Sequence, residues 1–524
     1  MATTNSRRGG WGQFYPPTDI QHGFAVESVK AHDPLGDRLD AKGHLEPRLF
    51  EIRKFVCKSS RGRRGAWEQM WQDVGGHVQV QVSICSEQYP KRDPVEAALL
   101  PAQLAAAGER VTVRLRVENG YAFDIRTINF RLPLRIVPGE GIAVMDTYWG
   151  GNIRRLGGHG FGQCGGGGYS PLAVFFDSRS GEGMCVEYFD RLLRHAQSGV
   201  FWFADPAGFQ PFLGYTLGLE KGKTADVVFC MTSYRQGLPE AALDDYRRQR
   251  LVPFMAGLGI PEAPPYETTG PWASSGWPFP KNDLVKDVAY CKSLGANGYI
   301  QWAPPDGQGY YEPFPERLEW FVQMKAASKL GIPVGVLINP WYSPRIDQSA
   351  AHWALDRKFV PNRVVPMAVA RPEAQSFLYK MRDNLATNGV SVAYWDCGGY
   401  NGYNQQCNTT PEQYLTLLYQ WKKAGIMIIT EGAQDFTAWV TGATLGWYYG
   451  RAFPFGDPPR YPVLRRVTPH ARMFRGGVGK VEQRAGRYWW DVLEDDGVSV
   501  PVLCVDANGE LETWAKEHGR DKGM

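Results

Sequence analysis

Two carboxylates carry the chemistry of this sequence. Asp396 closes the run Val-Ser-Val-Ala-Tyr-Trp-Asp, and Glu431 closes Ile-Met-Ile-Ile-Thr-Glu thirty-five residues later. Each ends a short, β-rich apolar run, where a purely structural core would not favour an acid. If the two runs are consecutive parallel strands, they are neighbours. Their carboxyl groups then face one pocket, on the order of 5–9 Å apart. Carboxyl pairs of that kind cleave glycosidic bonds. At about 5–5.5 Å one acts as nucleophile and the other as acid/base, whereas about 6.5–9.5 Å leaves room for a water. The competing reading makes one of the two a member of a structural ion pair.

Other candidates gather near the same strand ends. An apolar surround raises the pKa of a catalytic acid, and Trp302, Trp341 and Trp447 are placed to build it, although each would serve equally well in packing. Trp272 and Tyr394 also stand at expected strand ends. Asp306, Asn339 and Arg345 follow such ends and have the polarity to bind sugar hydroxyls. No metal is expected. His352 and His470 are isolated in the sequence, and neither His-x-x-x-His nor His-Glu-x-x-His occurs. The Gly-x-Ser-x-Gly elbow of serine hydrolases is absent too. Gly160-Phe-Gly-Gln-Cys-Gly165 matches a dinucleotide fingerprint, but more glycines and then a strand-like run follow it, where a helix is required. It reads as a loop near the site, and no cofactor is expected.

The elements that must hold these residues fall into two halves. Residues 1–240 read as strands: 78–85 and 110–117 alternate polar and apolar residues, and further runs lie at 125–137, 171–177, 184–189, 200–204, 212–219 and 225–232. Alternation with Gly, Pro, Asn and Asp between runs indicates antiparallel sheets, here a β-sandwich. Residues 241–265 read as a helix over 243–259 and the Pro-rich linker Ile-Pro-Glu-Ala-Pro-Pro. In residues 266–524, apolar runs alternate with helical patterns, as in a (β/α)₈ barrel. Strands are expected at 267–272, 298–302, 333–339, 390–396 and 426–431, then at 442–448, 461–467 and 500–505. Helices are expected at 283–294, 316–330 and 372–388. Thr410-Pro-Glu-Gln413 is a capping box with Pro in the first turn, starting a helix that Gly425 ends. Barrel enzymes place their chemistry at the C-terminal ends of the strands, which is where Asp396 and Glu431 fall.

Composition narrows the function classes. The 524 residues exceed one ordinary core. Lys plus Arg (58) nearly balances Asp plus Glu (54), so there is no basic stripe for nucleic acid. No apolar run reaches the roughly 18 residues of a membrane helix. Residues 1–10 carry no apolar stretch, so a cytoplasmic protein is expected, or a secreted or periplasmic one whose leader is not part of this sequence. The nine cysteines are scattered, with no Cys-x-x-Cys, and read as mostly reduced, buried thiols. Abundant Gly (60) and Pro (37) with 18 Trp, 25 Tyr and 25 Phe describe a loop-rich protein with many aromatic faces, which suits stacking on sugars.

A sandwich followed by a barrel, with Tyr394-Trp395-Asp396 ending the fourth strand, resembles the retaining α-glycoside hydrolases of the α-galactosidase type. Their nucleophile sits in Lys-Trp-Asp or Lys-Tyr-Asp, where this chain has Tyr394 for Lys. The Asp-then-Glu order on strands four and five is similar to the α-amylase clan and to the endo-α-N-acetylgalactosaminidases. The runs Ser170-Pro-Leu-Ala-Val-Phe-Phe-Asp177 and Cys185-Val-Glu-Tyr-Phe-Asp190 resemble the sandwich of the latter group. The resemblance implies Asp396 as nucleophile. It implies Glu431 as acid/base on the second pattern and Asp457 on the first. The substrate implied is an oligosaccharide, polysaccharide or glycoconjugate. Two alternatives stand beside this: a non-catalytic carbohydrate-binding or structural protein on the same scaffold, and a barrel enzyme of another reaction class. Oligomeric state is not readable.

Overall fold

A computed structural model of the chain describes residues 25–32, 38–39, 45–46, 49–52, 55–63, 66–88, 107–122, 125–133, 142–146, 152–155, 160–165, 170–188, 199–205, 208–219, 221–265, 270–274, 283–301, 318–338, 369, 371–395, 410–431, 434–449, 462–478, 488, 490–491, 497–505 and 509–520. The chain divides into two compact units, Met1–Tyr246 and Arg247–Met524.

The first unit is built on two antiparallel sheets. The larger has nine strands in the order Asn152–Arg155, Ile142–Asp146, Leu172–Asp177, Gly183–Tyr188, Thr224–Tyr234, Ala107–Asn119, Val78–Gln88, Ala66–Asp73 and Phe55–Arg63. Alternation in the sequence becomes two faces. Val78, Val80 and Val82 are buried, as are Val113, Leu115 and Val117 on the neighbouring strand, while Arg114, Arg116 and Glu118 are exposed. In register, Val80 pairs with Val117 and Val82 with Leu115. Burying such a side chain stabilises by about 1.5–3 kcal/mol relative to exposure. Leu172–Asp177 is buried along its whole length, which explains its unbroken apolar run. The second sheet has six strands: Gly160–Gly165, Gly199–Asp205, Gly208–Leu219, Ile125–Pro133, Ala25–His32 and Leu49–Ile52. Gly160–Gly165 is therefore a strand, against the expectation of a loop. It pairs antiparallel with Gly199–Asp205, an extended partner that overrides its glycine content. Helix Glu240–Tyr246 ends the unit. Its Asp245 is fully buried and meets Arg110 Nη2 at 3.4 Å. Arg110 also lies 3.8 Å from buried Glu187 and donates to Thr232 Oγ1 at 2.9 Å.

The second unit opens with the helical run expected over 243–259, here continued as a π-helical turn, Arg247–Leu251, and a helix, Val252–Gly257. It then forms a closed parallel barrel of eight strands: β1 (Trp272–Ser274), β2 (Tyr299–Gln301), β3 (Val334–Ile338), β4 (Val392–Trp395), β5 (Met427–Glu431), β6 (Ala443–Tyr449), β7 (Arg472–Val478) and β8 (Ser499–Cys504). Closure is the pairing of β8 with β1, Val502 against Ala273's neighbour Trp272. Among the described residues the surrounding helices are α1 (Leu284–Ser293), α2 (Leu318–Ala327), α3 (Pro372–Thr387), α4 (Pro411–Lys423), α5 (Asp435–Thr441), α6 (Pro462–Val467) and α7 (Glu510–Glu517). The capping box at Thr410 forms in both directions, and Gly425 beyond the end of α4 takes the left-handed φ of +83°.

Two strands differ from expectation. Residues 462–467 are helix α6, and the seventh strand is Arg472–Val478. Val463, Leu464 and Val467 are buried while Arg465 and Arg466 are exposed. That spacing is a helical stripe with Pro462 in the first turn, and it does not alternate. The first strand also begins where it was expected to end, at Trp272.

Candidate active site

Strand alternation decides which side chains face into the barrel. Its interior cluster includes Trp272, Ile300, Val392, Tyr394, Ile429, Leu445 and Phe474, with Met427 packed against it. Val392 and Tyr394 of β4 therefore point inward. Trp395 points outward to α4, edge-on to Trp421 at 5.1 Å and 6.2 Å from Tyr414. On β5, Met427 and Ile429 share the inward parity, and Glu431 is the next residue on that parity. Its burial falls to intermediate after three buried residues, as expected where the interior opens at the rim. Among the described residues, Glu431 is the one carboxylate that ends a barrel strand.

The neighbouring strands fix the height of this rim. Glu431 pairs with Leu445 of β6 and Thr430 with Thr444. The Thr444 hydroxyl donates to the Thr430 carbonyl at 3.1 Å. On the other side Trp395, the last residue of β4, is level with Thr430. The polar residues ending β1 and β2 are engaged elsewhere. The Ser274 hydroxyl donates to the Leu503 carbonyl at 3.4 Å, and Gln301 Oε1 accepts from the Trp320 indole of α2 at 2.8 Å.

Of the other residues expected at the site, two are in the barrel core. Trp272 is fully buried and edge-on to Phe474, with ring centroids 5.0 Å apart. It starts its strand, so the substrate-binding position at a strand's C-terminal end expected of it is a core position instead. Tyr394 is also fully buried, in the interior cluster below the rim. Trp447 lies in β6 in register with Gly476, and its side chain is outside the described residues. So are Trp302, Asp306, Asn339, Trp341, Arg345, Asp396 and Asp457. Arg475, a cation 1% exposed on β7, carries no signal in the sequence because nothing there marks its strand. His470 is isolated in the sequence, although the fold brings its Nδ1 within 2.5 Å of Glu262.

A cavity of about 550 Å³ lies at the opposite end of the barrel. Asn297 before β2, Arg472 and Ser499 opening β7 and β8, and Trp514 of α7 are among its lining residues. These residues lie at the N-terminal ends of the strands, whereas barrel enzymes carry their chemistry at the C-terminal ends. Among the described residues no group of three or more His, Cys, Asp or Glu is arranged to hold a metal ion. The described cysteines are free thiols, with Cys185, Cys230 and Cys291 buried but Cys57 and Cys85 exposed.

No protein-family profile matches the chain, and no curated protein matches it. Solved structures do. The chain is similar to α-galactosidases. A GH36 α-galactosidase of Geobacillus stearothermophilus is 12% identical, over 97% of this chain and 76% of that one, with a TM-score of 0.46. The α-galactosidase of Lactobacillus brevis is 12% identical, over 98% and 81%, with a TM-score of 0.42. That of Thermus thermophilus, solved with stachyose, is 13% identical, over 86% and 98%, with a TM-score of 0.43. At this identity the likeness assigns no residue a role.

Proposed function

We propose that this chain is a retaining glycoside hydrolase acting on α-linked sugars, with Asp396 as nucleophile and Glu431 as general acid/base. The observation that carries the reading is the placement of Glu431 on the inward parity at the rim of β5. Asp396 is taken as its partner because it follows directly in sequence on β4, whose last described residue, Trp395, pairs with Thr430, and because the resemblance to α-glycoside hydrolases implies a nucleophile after the fourth strand.

The chemistry follows from that pair. The Asp396 carboxylate attacks the anomeric carbon as the Glu431 carboxyl gives its proton to the departing glycosidic oxygen. A glycosyl ester on Asp396 results. Glu431, now a carboxylate, takes a proton from water, which attacks the same carbon and releases the sugar with its configuration retained. The α-galactosidases above, one of them solved with stachyose, make an α-galactoside the first substrate to test.

The test is hydrolysis of aryl α-galactosides and α-glucosides, with the anomer of the first product followed by NMR. Cleavage with initial release of the α-anomer is expected. Initial release of the β-anomer would overturn retention, and no cleavage of any α-glycoside would overturn the reading itself. Asp457→Asn serves as the comparison for the acid/base role and is expected to keep the leaving-group dependence of the wild type.

A further inference from the structure

Helix α5 follows β5 after three intervening residues, so its placement bears directly on where Glu431 stands. All seven α5 residues are buried, and four ties from other segments hold the helix. The Ala263 N–H donates to the Trp439 carbonyl at 2.9 Å. The Trp439 indole donates to the Ile260 carbonyl at 3.2 Å. Lys422 of α4 donates to the Val440 carbonyl at 2.9 Å. His470 Nε2 stands 3.2 Å from the Ala438 carbonyl.

The histidine tie has an unusual proton balance. His470 is 5% exposed, and its Nδ1 lies 2.5 Å from Glu262 Oε1, without the alignment of a hydrogen bond. Glu262 also accepts from Arg247 Nη2, at 3.1 and 2.8 Å. Arg247 Nη1 donates to the Val467 carbonyl at 2.5 Å, and the guanidinium lies 5.1 Å from the Trp439 ring centre. Both nitrogens of His470 thus face oxygens that can only accept. A neutral imidazole presents one N–H to these oxygens, whereas the imidazolium presents one to each and adds a charge opposite Glu262. Burial opposes the charged form, Glu262 favours it and Arg247 opposes it, with the balance below histidine's usual value. Among the described residues these two are the charged groups that face the ring. From α5 come the Ala438 carbonyl and the Trp439 ring, edge-on at 6.0 Å, and from α6 the arginines are exposed.

We propose that His470 is a positioning residue. Held between the Glu262 carboxylate and the Ala438 carbonyl, its imidazole fixes α5 and, since only three residues separate α5 from β5, the rim position of Glu431. The catalytic consequence rests on the glycosidase reading, whereas the grip on α5 stands without it.

The test uses the full chain and two readouts, amide hydrogen exchange over 435–441 and the pH profile of kcat on an aryl α-galactoside. His470→Ala removes the tie. His470→Gln keeps an N–H for the Ala438 carbonyl but takes up no proton. The alanine variant is expected to exchange faster in α5 and to lose about tenfold in kcat with KM nearly unchanged, since a misplacement of about 1 Å can cost a hundredfold. The glutamine variant is expected to restore both near pH 7.5, yet to lack the step in kcat and in α5 exchange that the wild type shows below pH 6.5. Wild-type exchange in the alanine variant, or a step that survives in the glutamine variant, overturns the proposal. If the wild type cleaves no α-glycoside, the glycosidase reading falls and the exchange data alone decide on His470.

Discussion

The indole of Trp272 occupies the space that a side chain at Gly298 would need. A Cβ at position 298 would come within 2.5 Å of Cδ2 and Cε2 of that ring. β1 and β2 can therefore lie side by side with a full tryptophan in the barrel core only because residue 298 carries no side chain.

Gly298→Ala should destabilise the barrel by about 1–3 kcal/mol or more, the range for overpacking a filled core. The ring has no room to retreat, since it is fully buried against Phe474. Urea denaturation would show a lower midpoint. An unchanged midpoint would mean that the indole sits elsewhere.

Glu431→Gln and Asp396→Asn should each lower turnover of an aryl α-galactoside by at least about a hundredfold, the lower end of acid–base contributions, with the circular dichroism spectrum unchanged. The two differ with leaving group. The Glu431 variant should be least impaired on aryl glycosides that need little protonation, while the Asp396 variant should be impaired on all of them.

Arg110→Leu should cost about 3–5 kcal/mol, because it leaves two buried carboxylates, Glu187 and Asp245, without their cation. Arg110→Leu combined with Asp245→Asn should recover part of that loss. Chemical denaturation of the wild type, the two single variants and the double variant in a double-mutant cycle measures the coupling, and strict additivity would contradict it.

Thr410→Ala should cost about 1 kcal/mol through loss of the N-cap of α4. The Thr410 hydroxyl accepts from the Gln413 N–H at 3.3 Å, and Gln413 Oε1 accepts from the Thr410 N–H at 2.9 Å. Thr410→Ser should retain most of the stability lost by alanine, as read from thermal melts.

Burial lowers the pKa of Lys422 from 10.5 to about 8. Between those values the unfolded chain binds more protons at this site than the folded one, so stability rises as pH rises from about 8 toward 10.5. Below about 8 the penalty is constant. The contribution is thus gained at alkaline pH and lost as pH falls. Lys422→Met should flatten that rise in denaturation midpoints measured from pH 7.5 to 10.

Most of the barrel is legible in the sequence because its first five strands are apolar runs cut off by glycines and capping residues. Gly295, Gly331 and Gly425 end helices with positive φ, and a residue-by-residue reading finds them. The seventh strand, Arg-Met-Phe-Arg-Gly-Gly-Val, has two arginines and two glycines, so nothing in its composition asks for a strand. Its pairing with β6 and β8 supplies that. At the site, Glu431 was legible because an acid after four apolar residues and a threonine stands out. Trp272 was misread because the start of a three-residue strand cannot be located by pattern alone, and its few residues decide between core and rim. His470 was invisible as a partner of Glu262, since about 200 residues separate them and only the fold closes that gap.

The seam between β1 and β8 has a consequence for how the protein is made. Trp272 pairs with Val502, so about 230 residues must leave the ribosome after β1 before its second neighbour exists. At typical synthesis rates that is roughly 10–50 s, during which one edge of β1 and one face of the tryptophan lack their native cover. A nascent chain paused within α6 carries the whole first unit and six strands of the second, with the ring still open. Chaperone capture and proteolytic sensitivity should concentrate in that interval and end abruptly once Ser499–Cys504 emerges.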